Sequence, residues 1–440
     1  MIGLYPIKAV FDPLTTRCVR CKGRGICGRP VCPILKSFRA AAELPKLGTV
    51  IEGPSPPEVF VGRFGYPRVS AGPLVPAEGT GYKDAVGPPL SSCPFSDSST
   101  SPETAPNLSP TLFSRPAELA KMDVGEIVAL RSSMVRSGSK VAVADAKKPG
   151  RLLEMAQEIA ISSTPVETEV TFAKPPRGRL RFDGFMMPSG PVGTVEEMEI
   201  ISNPTVPRKV DEVVGDTDLL ATAAVGELYG SGVEVDGISR LLSLGLLGKE
   251  RKLVPTRWSI TASDDIAGKH LIEAIRDHPP INDYILFSGE RLGNHFEILL
   301  APGTFTYELV EIWLPRSVWS GEESWISADR EGPGPKKGYS SLAGGYYAAR
   351  LAVLERLAEM RRQASVLAVR EITEEYWAPL GVWVVREASR AALSAEPRKF
   401  ETMEAALAEM ATRLRMPERE WRPFSEIARG AVQTTLANFC

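Results

Sequence analysis

The hydrophobic positions along this 440-residue chain change period several times, and each change predicts an element. From about 45 to 116 proline, glycine and serine crowd the chain, as in GPSPPEVF and PPLSSCPFSDSSTSPETAPNLSP. Missing N–H donors and fixed φ angles exclude long helices there, leaving extended loop with one or two short strands around 59–69. Asp123 then precedes VGEIVALRSSMV, whose apolar spacing of three to four predicts a helix. Val166–Phe172 alternates as a strand does, and 219–229 and 266–275 read as helices. Three apolar, aromatic-rich runs follow, DYILFSG, NHFEILLAP and TFTYELVEIWLP. GERLGN and Pro302-Gly303 separate them, which predicts an antiparallel meander over 283–314. Beyond the break EGPGPKKG at 331–338 the pattern turns helical almost to the end. Tyr347, Leu351, Leu354 and Ala358 share one face of 344–360, and an Ala/Glu-rich segment at 403–414 repeats the theme.

The class expected is α+β, with an N-terminal zinc-binding module, a central mixed region containing the meander, and a helical C-terminal portion. Five segments follow: a basic four-cysteine module at 1–45, an extended Pro/Gly/Ser-rich stretch at 46–116, an α+β core at 117–330, a helical region at 331–428 and a tail at 429–440. No repeat of fixed period is present.

Composition adds bounds. With 43% hydrophobic residues the chain can bury a sizeable core. A net charge of -2 provides no global attraction to polyanions, so any nucleic-acid contact must come from a local patch. Residues 1–40 supply one: Lys8, Arg17, Arg20, Lys22, Arg24, Arg29, Lys36 and Arg39 stand against Asp12 alone, a local +7. The first residues lack the apolar stretch of a secretory signal, and no run reaches the roughly 18 apolar residues of a membrane span. A cytoplasmic protein without a membrane partner is the expectation. Six cysteines are too few for a disulfide scaffold, and four fall within fifteen positions, which points to metal.

Those four, Cys18, Cys21, Cys27 and Cys32, have the spacing C-x2-C-x5-C-x4-C in CVRCKGRGICGRPVC. Four thiolates about 2.3 Å from one ion make a closed tetrahedral zinc site, structural rather than catalytic because no position is left for water. An iron–sulfur cluster uses the same donors, and reduced, unliganded cysteines are the plain alternative. Lys22, Arg24 and Arg29 sit among the ligands, where a metal-stiffened loop suits contact with phosphates; solubility is the simpler role for such charges. Cys93 and Cys440 lie outside the cluster.

At the other end the chain finishes QTTLANFC. One helical turn places Leu436 and Phe439 on one side as a two-pronged apolar plug, with Gln433 beside them, the arrangement of a peptide that binds a sliding clamp. The usual pattern ends on two aromatics, and Cys440 replaces the second.

CVRCKGRGICGRPVCP, KLVPTRWSIT, GGYYAARLAVLE and QTTLANFC together resemble the archaeal Nre family of DNA repair proteins, over essentially the whole chain. The resemblance implies a DNA-repair protein with a zinc motif at Cys18, Cys21, Cys27 and Cys32, and a C-terminal peptide that binds the clamp PCNA through Gln433, Leu436 and Phe439. It implies no particular reaction.

The middle of the chain holds polar groups that a core does not need. Arg257 and Trp258 are expected near a strand end, Asp264 and Asp265 at the start of the next helix, and His295 and Glu297 on one face of a strand. Such a set can bind a divalent metal or serve as acid and base, which keeps open a metal-dependent nuclease or nucleotide-acting enzyme. Capping by Asp264 and an ordinary strand histidine are the plain alternatives. KPPRGRLRF places Arg177, Arg179 and Arg181 at alternate positions, a cationic stripe for a nucleic-acid backbone or a charged strand edge. The leading expectation is a DNA-repair factor recruited to the clamp, with an enzyme and a scaffold free of nucleic-acid contact as alternatives. Convergence of Arg257, Asp264, Asp265, His295 and Glu297 in one pocket separates enzyme from adaptor.

Overall fold

Strands of alternating burial build one sheet and strands buried on both faces build another. The computed structural model describes residues 47–77, 115–178, 189–334, 336 and 338–430, together with Arg24, Cys32 and Leu35. The first sheet holds β1 (Val50–Ser55), β2 (Val59–Val61), β3 (Arg68–Pro76), β4 (Met134–Ala142), β5 (Val166–Phe172) and β6 (Val192–Ile200), in the order β1-β5-β6-β4-β3-β2. The proline-crowded region thus carries more strand than its sequence promises, because Pro54, Pro73 and Pro76 all sit within strands. Helix α1 (Val124–Ser132) starts where expected: the Asp123 carboxylate accepts from the Glu126 N–H, and Glu126 accepts from the Asp123 N–H.

Helices α2 (Arg151–Ile161), α3 (Arg208–Gly215), α4 (Ala221–Gly230) and α5 (Val235–Ser243) bury one core with β2 and β3, in which Val61, Val69, Leu153, Val225, Ile238 and Leu241 meet. Partly buried Ala262 and Ile266 of α6 (Thr256–Ile275) pack on the same core.

The second sheet contains β7 (Tyr284–Arg291), β8 (Asn294–Ala301), β9 (Thr306–Trp313), β10 (Trp325–Glu331), β11 (Ser365–Ile372) and β12 (Arg398–Phe400). Its order, β10-β9-β11-β8-β7-β12, corrects the meander. The β7–β8 hairpin stands, with Ile285 opposite Leu300, but β8 and β9 are not neighbours. β11 lies between them, antiparallel to β8 and parallel to β9. It also corrects the expectation of helix after 338, since Ser365–Ile372 is a central strand. Its Val366 and Ala368 face one layer of helices while Leu367 and Val369 face another, and a strand buried on both sides has no alternation to reveal it.

Helices α6, α7 (Gly344–Met360) and α8 (Trp383–Leu393) cover one face of this sheet, where Tyr346, Val353, Leu357, Val385 and Ala388 meet Phe296, Ile298 and Leu309. On the other face, Ala406, Leu407 and Met410 of α9 (Met403–Arg413) and Trp421 meet Leu299, Val310 and Leu367. Residues 425–427 are anchored to the sheet by one carboxylate. Glu308 on β9 accepts from Ser425 Oγ at 2.8 Å and from the N–H groups of Glu426 and Ile427 at 2.8 and 3.0 Å. Glu308→Ala should remove these bonds at a cost of about 1–3 kcal/mol, with amide exchange at 426 and 427 accelerating before that of β9. Unchanged exchange there would show that packing alone holds the segment.

Candidate nucleic-acid interface

Helix α6 contains four of the residues singled out above, in places other than those expected. Arg257 and Trp258 occupy its first turn, just after Pro255, and Asp264 and Asp265 lie at its middle. The strand expected to end near Arg257 is helix. Its buried face is built from Ser259, Thr261, Ser263, Asp264, Ala267 and Gly268, so no hydrophobic period marks it.

Asp264 is fully buried and caps nothing: its Oδ1 accepts from Arg386 of α8 at 2.6 Å, and Arg386 also binds Asp236 of α5. Burial pushes the Asp264 carboxyl up to about 6, against the pull of Arg386. Asp265 turns the other way and accepts from Arg350 of α7 at 2.7 Å and from Lys269 at 2.7 Å. Arg350 in turn donates to Glu331 at 2.8 Å. Gly268 makes room for it, since a Cβ there would stand 3.1 Å from its Nη2.

His295 and Glu297 form a pair of their own, Nε2 to Oε1 at 2.9 Å, and the Ser288 hydroxyl donates to that same oxygen. Serine and histidine both meet the acid and not each other, which is not a nucleophile relay. Phe296 and Ile298 face α6, α7 and α8, so His295 and Glu297, alternating with them, face the opposite side of the sheet. The five residues therefore do not converge.

What α6 does present outward is Arg257 and Trp258, beside the tip of the β2–β3 hairpin. Two contacts hold that hairpin in place, and a third braces the arginine that makes one of them. The Val61 N–H donates to Thr256 Oγ1 at 2.9 Å, Arg240 of α5 donates to Glu58 at 3.1 Å, and the same arginine donates to the Ala160 carbonyl at 2.8 Å. Burial pushes the Glu58 carboxyl up to about 7, while Arg240 draws it down. At the tip, Gly65 has φ +85, and a Cβ there would lie 2.8 Å from the Arg68 carbonyl oxygen. The tight loop leaves its side chains outside: Phe64 is 63% exposed and Tyr66 54%, with Trp258 at 42% and Tyr339 at 64%. Among the described residues five aromatic side chains are exposed, the fifth being Phe424, so this grouping is a patch and not scatter.

Tyr66 and Trp258 have ring centroids 5.8 Å apart, and the Arg63 guanidinium lies 5.1 Å from the Phe64 ring centre. Partial burial, and then the positive charge of Arg63, hold Arg257 below its ordinary value; Tyr339 also acts on it. Lys140 Nζ is 4.0 Å from where a Cβ on Gly65 would stand. Among the described residues no carboxylate pairs with Arg63, Arg68, Lys140 or Arg257. Close by, Lys252 is engaged with Glu250 at 2.8 Å.

Of the residues expected to contact DNA, Arg24 and Arg177 are exposed, Arg177 in an isolated bridge to Val192. Lys22, Arg29, Arg179 and Arg181 lie outside the described residues, as do Gln433, Leu436 and Phe439 of the tail. So do Cys18, Cys21 and Cys27; Cys32 is half-buried. Among the described residues no group of three or more His, Cys, Asp or Glu side chains is arranged to hold a metal. The sequence reading passed over Arg63, Phe64, Tyr66 and Tyr339. Their signal was local: GRFGYPR puts two aromatics in a glycine-punctuated turn, where a hairpin tip cannot bury them.

The archaeal Nre N-terminal model matches residues 26–89 and 96–320, and the Nre C-terminal model matches 331–439. The chain belongs to the archaeal Nre family. Among Nre relatives, DNA repair protein NreA of Archaeoglobus fulgidus is 41% identical over 428 residues, covering 97% of this chain and 99% of that protein. DNA repair protein NreB of the same organism is 35% identical over 96% of this chain and 99% of its own length. DNA repair protein NreA of Haloferax volcanii is 33% identical over 92% of each. No solved structure matches this Nre chain. Among the described residues no helix is long and apolar enough to cross a membrane.

Asp264 and Arg386 give the site's scaffold a direct test. Arg386→Met leaves two acids facing each other without their cation, and denaturant unfolding should register a loss of about 3–5 kcal/mol. Adding Asp264→Leu should restore part of it. A single variant within about 1 kcal/mol of the parent would remove this pair from the supports of α6.

Proposed function

We propose that this Nre protein is a DNA-repair factor that works by binding, recruited to the sliding clamp PCNA through its C-terminal peptide, with a structural zinc site near its N-terminus and a direct contact with DNA. One observation carries the choice of binding over catalysis. The acids and bases that could do chemistry are engaged in internal ion pairs on two faces of a sheet, whereas Arg257 and its neighbours turn their charge outward. The relatives' shared description as DNA repair proteins supports the setting. The rival, a metal-dependent nuclease using Arg257, Asp264, Asp265, His295 and Glu297, requires these groups in one pocket.

Zinc at Cys18, Cys21, Cys27 and Cys32 would tie the basic loop bearing Lys22, Arg24 and Arg29 into one shape, since closed thiolate sites couple metal binding to folding. Elemental analysis should find one zinc per chain, and Cys21→Ser or Cys27→Ser should release it and expose residues 15–35 to proteolysis. Iron with acid-labile sulfide, or no metal, would refute the assignment.

The tail supplies the second measurement. Leu436 and Phe439 can each bury a full apolar side chain in a clamp pocket, worth about 1.5–3 kcal/mol apiece. Deleting 433–440 should abolish clamp binding without changing the fold, and Phe439→Ala should weaken it on the order of tenfold or more. Cys440→Phe should tighten it by adding apolar area. Calorimetry in which Phe439→Ala binds PCNA as well as the parent does would sink the recruitment reading.

A further inference from the structure

We infer that the surface formed by the β2–β3 hairpin tip and the first turn of α6 holds an unpaired stretch of single-stranded DNA, with bases stacked on Tyr66, Trp258 and Phe64 and phosphates met by Arg63 and Arg257. The inference rests on the DNA contact proposed above and adds where the contact lies and which form of DNA it takes.

Two features have to be explained together. Exposed aromatic rings are unfavourable in water, and a fold that buries Trp313, Trp421, Tyr307 and Phe296 fully has the means to bury rings. Three exposed rings at one place, Phe64, Tyr66 and Trp258, therefore point to an external partner. Arg63 and Arg257, meanwhile, stand close enough to repel, with no carboxylate pairing with either among the described residues. A partner that relieves this is an anion and also offers flat apolar faces. Duplex DNA supplies the phosphates but hides its base faces within its own stack, so the rings would gain nothing from it. Single strands expose both along one backbone, and rings interleaved with cations are how proteins grip them.

The geometry fits that use. Tyr66 and Trp258, 5.8 Å apart and inclined at 51°, leave each ring an outer face, and Arg63 beside Phe64 offers a cation next to a stacking plane. Lys140 near Gly65 and Arg68 at the base of the tip extend the charge. Tyr339, in the Gly/Pro-rich loop after β10, leans on Tyr347 with ring centroids 5.5 Å apart and acts electrostatically on Arg257. The hairpin is fixed from below by Thr256 and Arg240, so the backbone that carries Phe64 and Tyr66 is held before the ligand arrives, which lowers the ordering cost of binding.

The test uses the full-length protein and fluorescence anisotropy with end-labelled oligothymidylate and, separately, a blunt duplex of mixed sequence at the same salt. Wild type should prefer the single strand. Trp258→Ala with Tyr66→Ala should weaken oligothymidylate binding by about tenfold or more and leave duplex binding unchanged. Trp258→Phe, which keeps a stacking face, should retain most of the affinity, which separates lost stacking from a damaged fold. Arg63→Gln with Arg257→Gln should flatten the slope of log K against log salt on the single strand by about 0.7 per lost contact. If the ring variants bind oligothymidylate as wild type does, the surface assignment is overturned and the DNA contact lies elsewhere. If wild type binds neither form, the DNA contact in the proposed function falls with it, and the patch serves a protein partner instead.

Discussion

Two adjacent carboxylates on one helix hold the architecture together. Successive residues of an α-helix point about 100° apart, so Asp264 and Asp265 cannot serve one partner, and each takes its own arginine. Asp264 engages Arg386 of α8, and Asp265 engages Arg350 of α7. Both arginines are almost wholly buried, and each has a further acid, Asp236 or Glu331. Taking such charges out of water is costly, and pairing offsets that cost only when the partners are fixed in place. The network therefore dictates position more than it adds stability. It sets the rotation of α6, whose first turn leaves Arg257 and Trp258 exposed.

The same network explains what could be read from the sequence. Elements with an unambiguous period were legible: the Asp123 cap and α1, strand β5, the β7–β8 hairpin and α7 lie where the pattern puts them. α6 was half-legible, because its inward face is hydroxyls, a carboxylate and glycine, which mimic a polar surface. β11 was missed because its apolar run, buried on both faces, lies between two helices and looks like a continuation of them. In the site, Arg257 was found for its charge and misplaced on a strand. The hairpin aromatics were overlooked because a ring in a sequence is presumed to be core until the fold shows that nothing covers it.

The two family segments are not separate bodies in space. The N-terminal match ends at 320 and the C-terminal match begins at 331, yet the second sheet draws β7, β8 and β9 from the first and β11 and β12 from the second. Helix α1 likewise packs its Ile127 and Leu130 into one cluster with Tyr376, Leu380 and Trp383. The cores of the second sheet are therefore shared between the two segments, while the core of the first sheet lies within the N-terminal one.

The central position of β11 also fixes an order of events during synthesis. β8 and β9 leave the ribosome with a vacant lane between them and the apolar residues of both faces uncovered, since their shared neighbour is made only after α7. Until then Ile298, Leu300, Leu309 and Val310 belong to open strand edges, and closing them on each other would give the simple hairpin that the sequence suggests. The native sheet must keep that shorter-range pairing from becoming a trap, and the late, non-local insertion of one strand raises the contact order of the sheet and slows its completion.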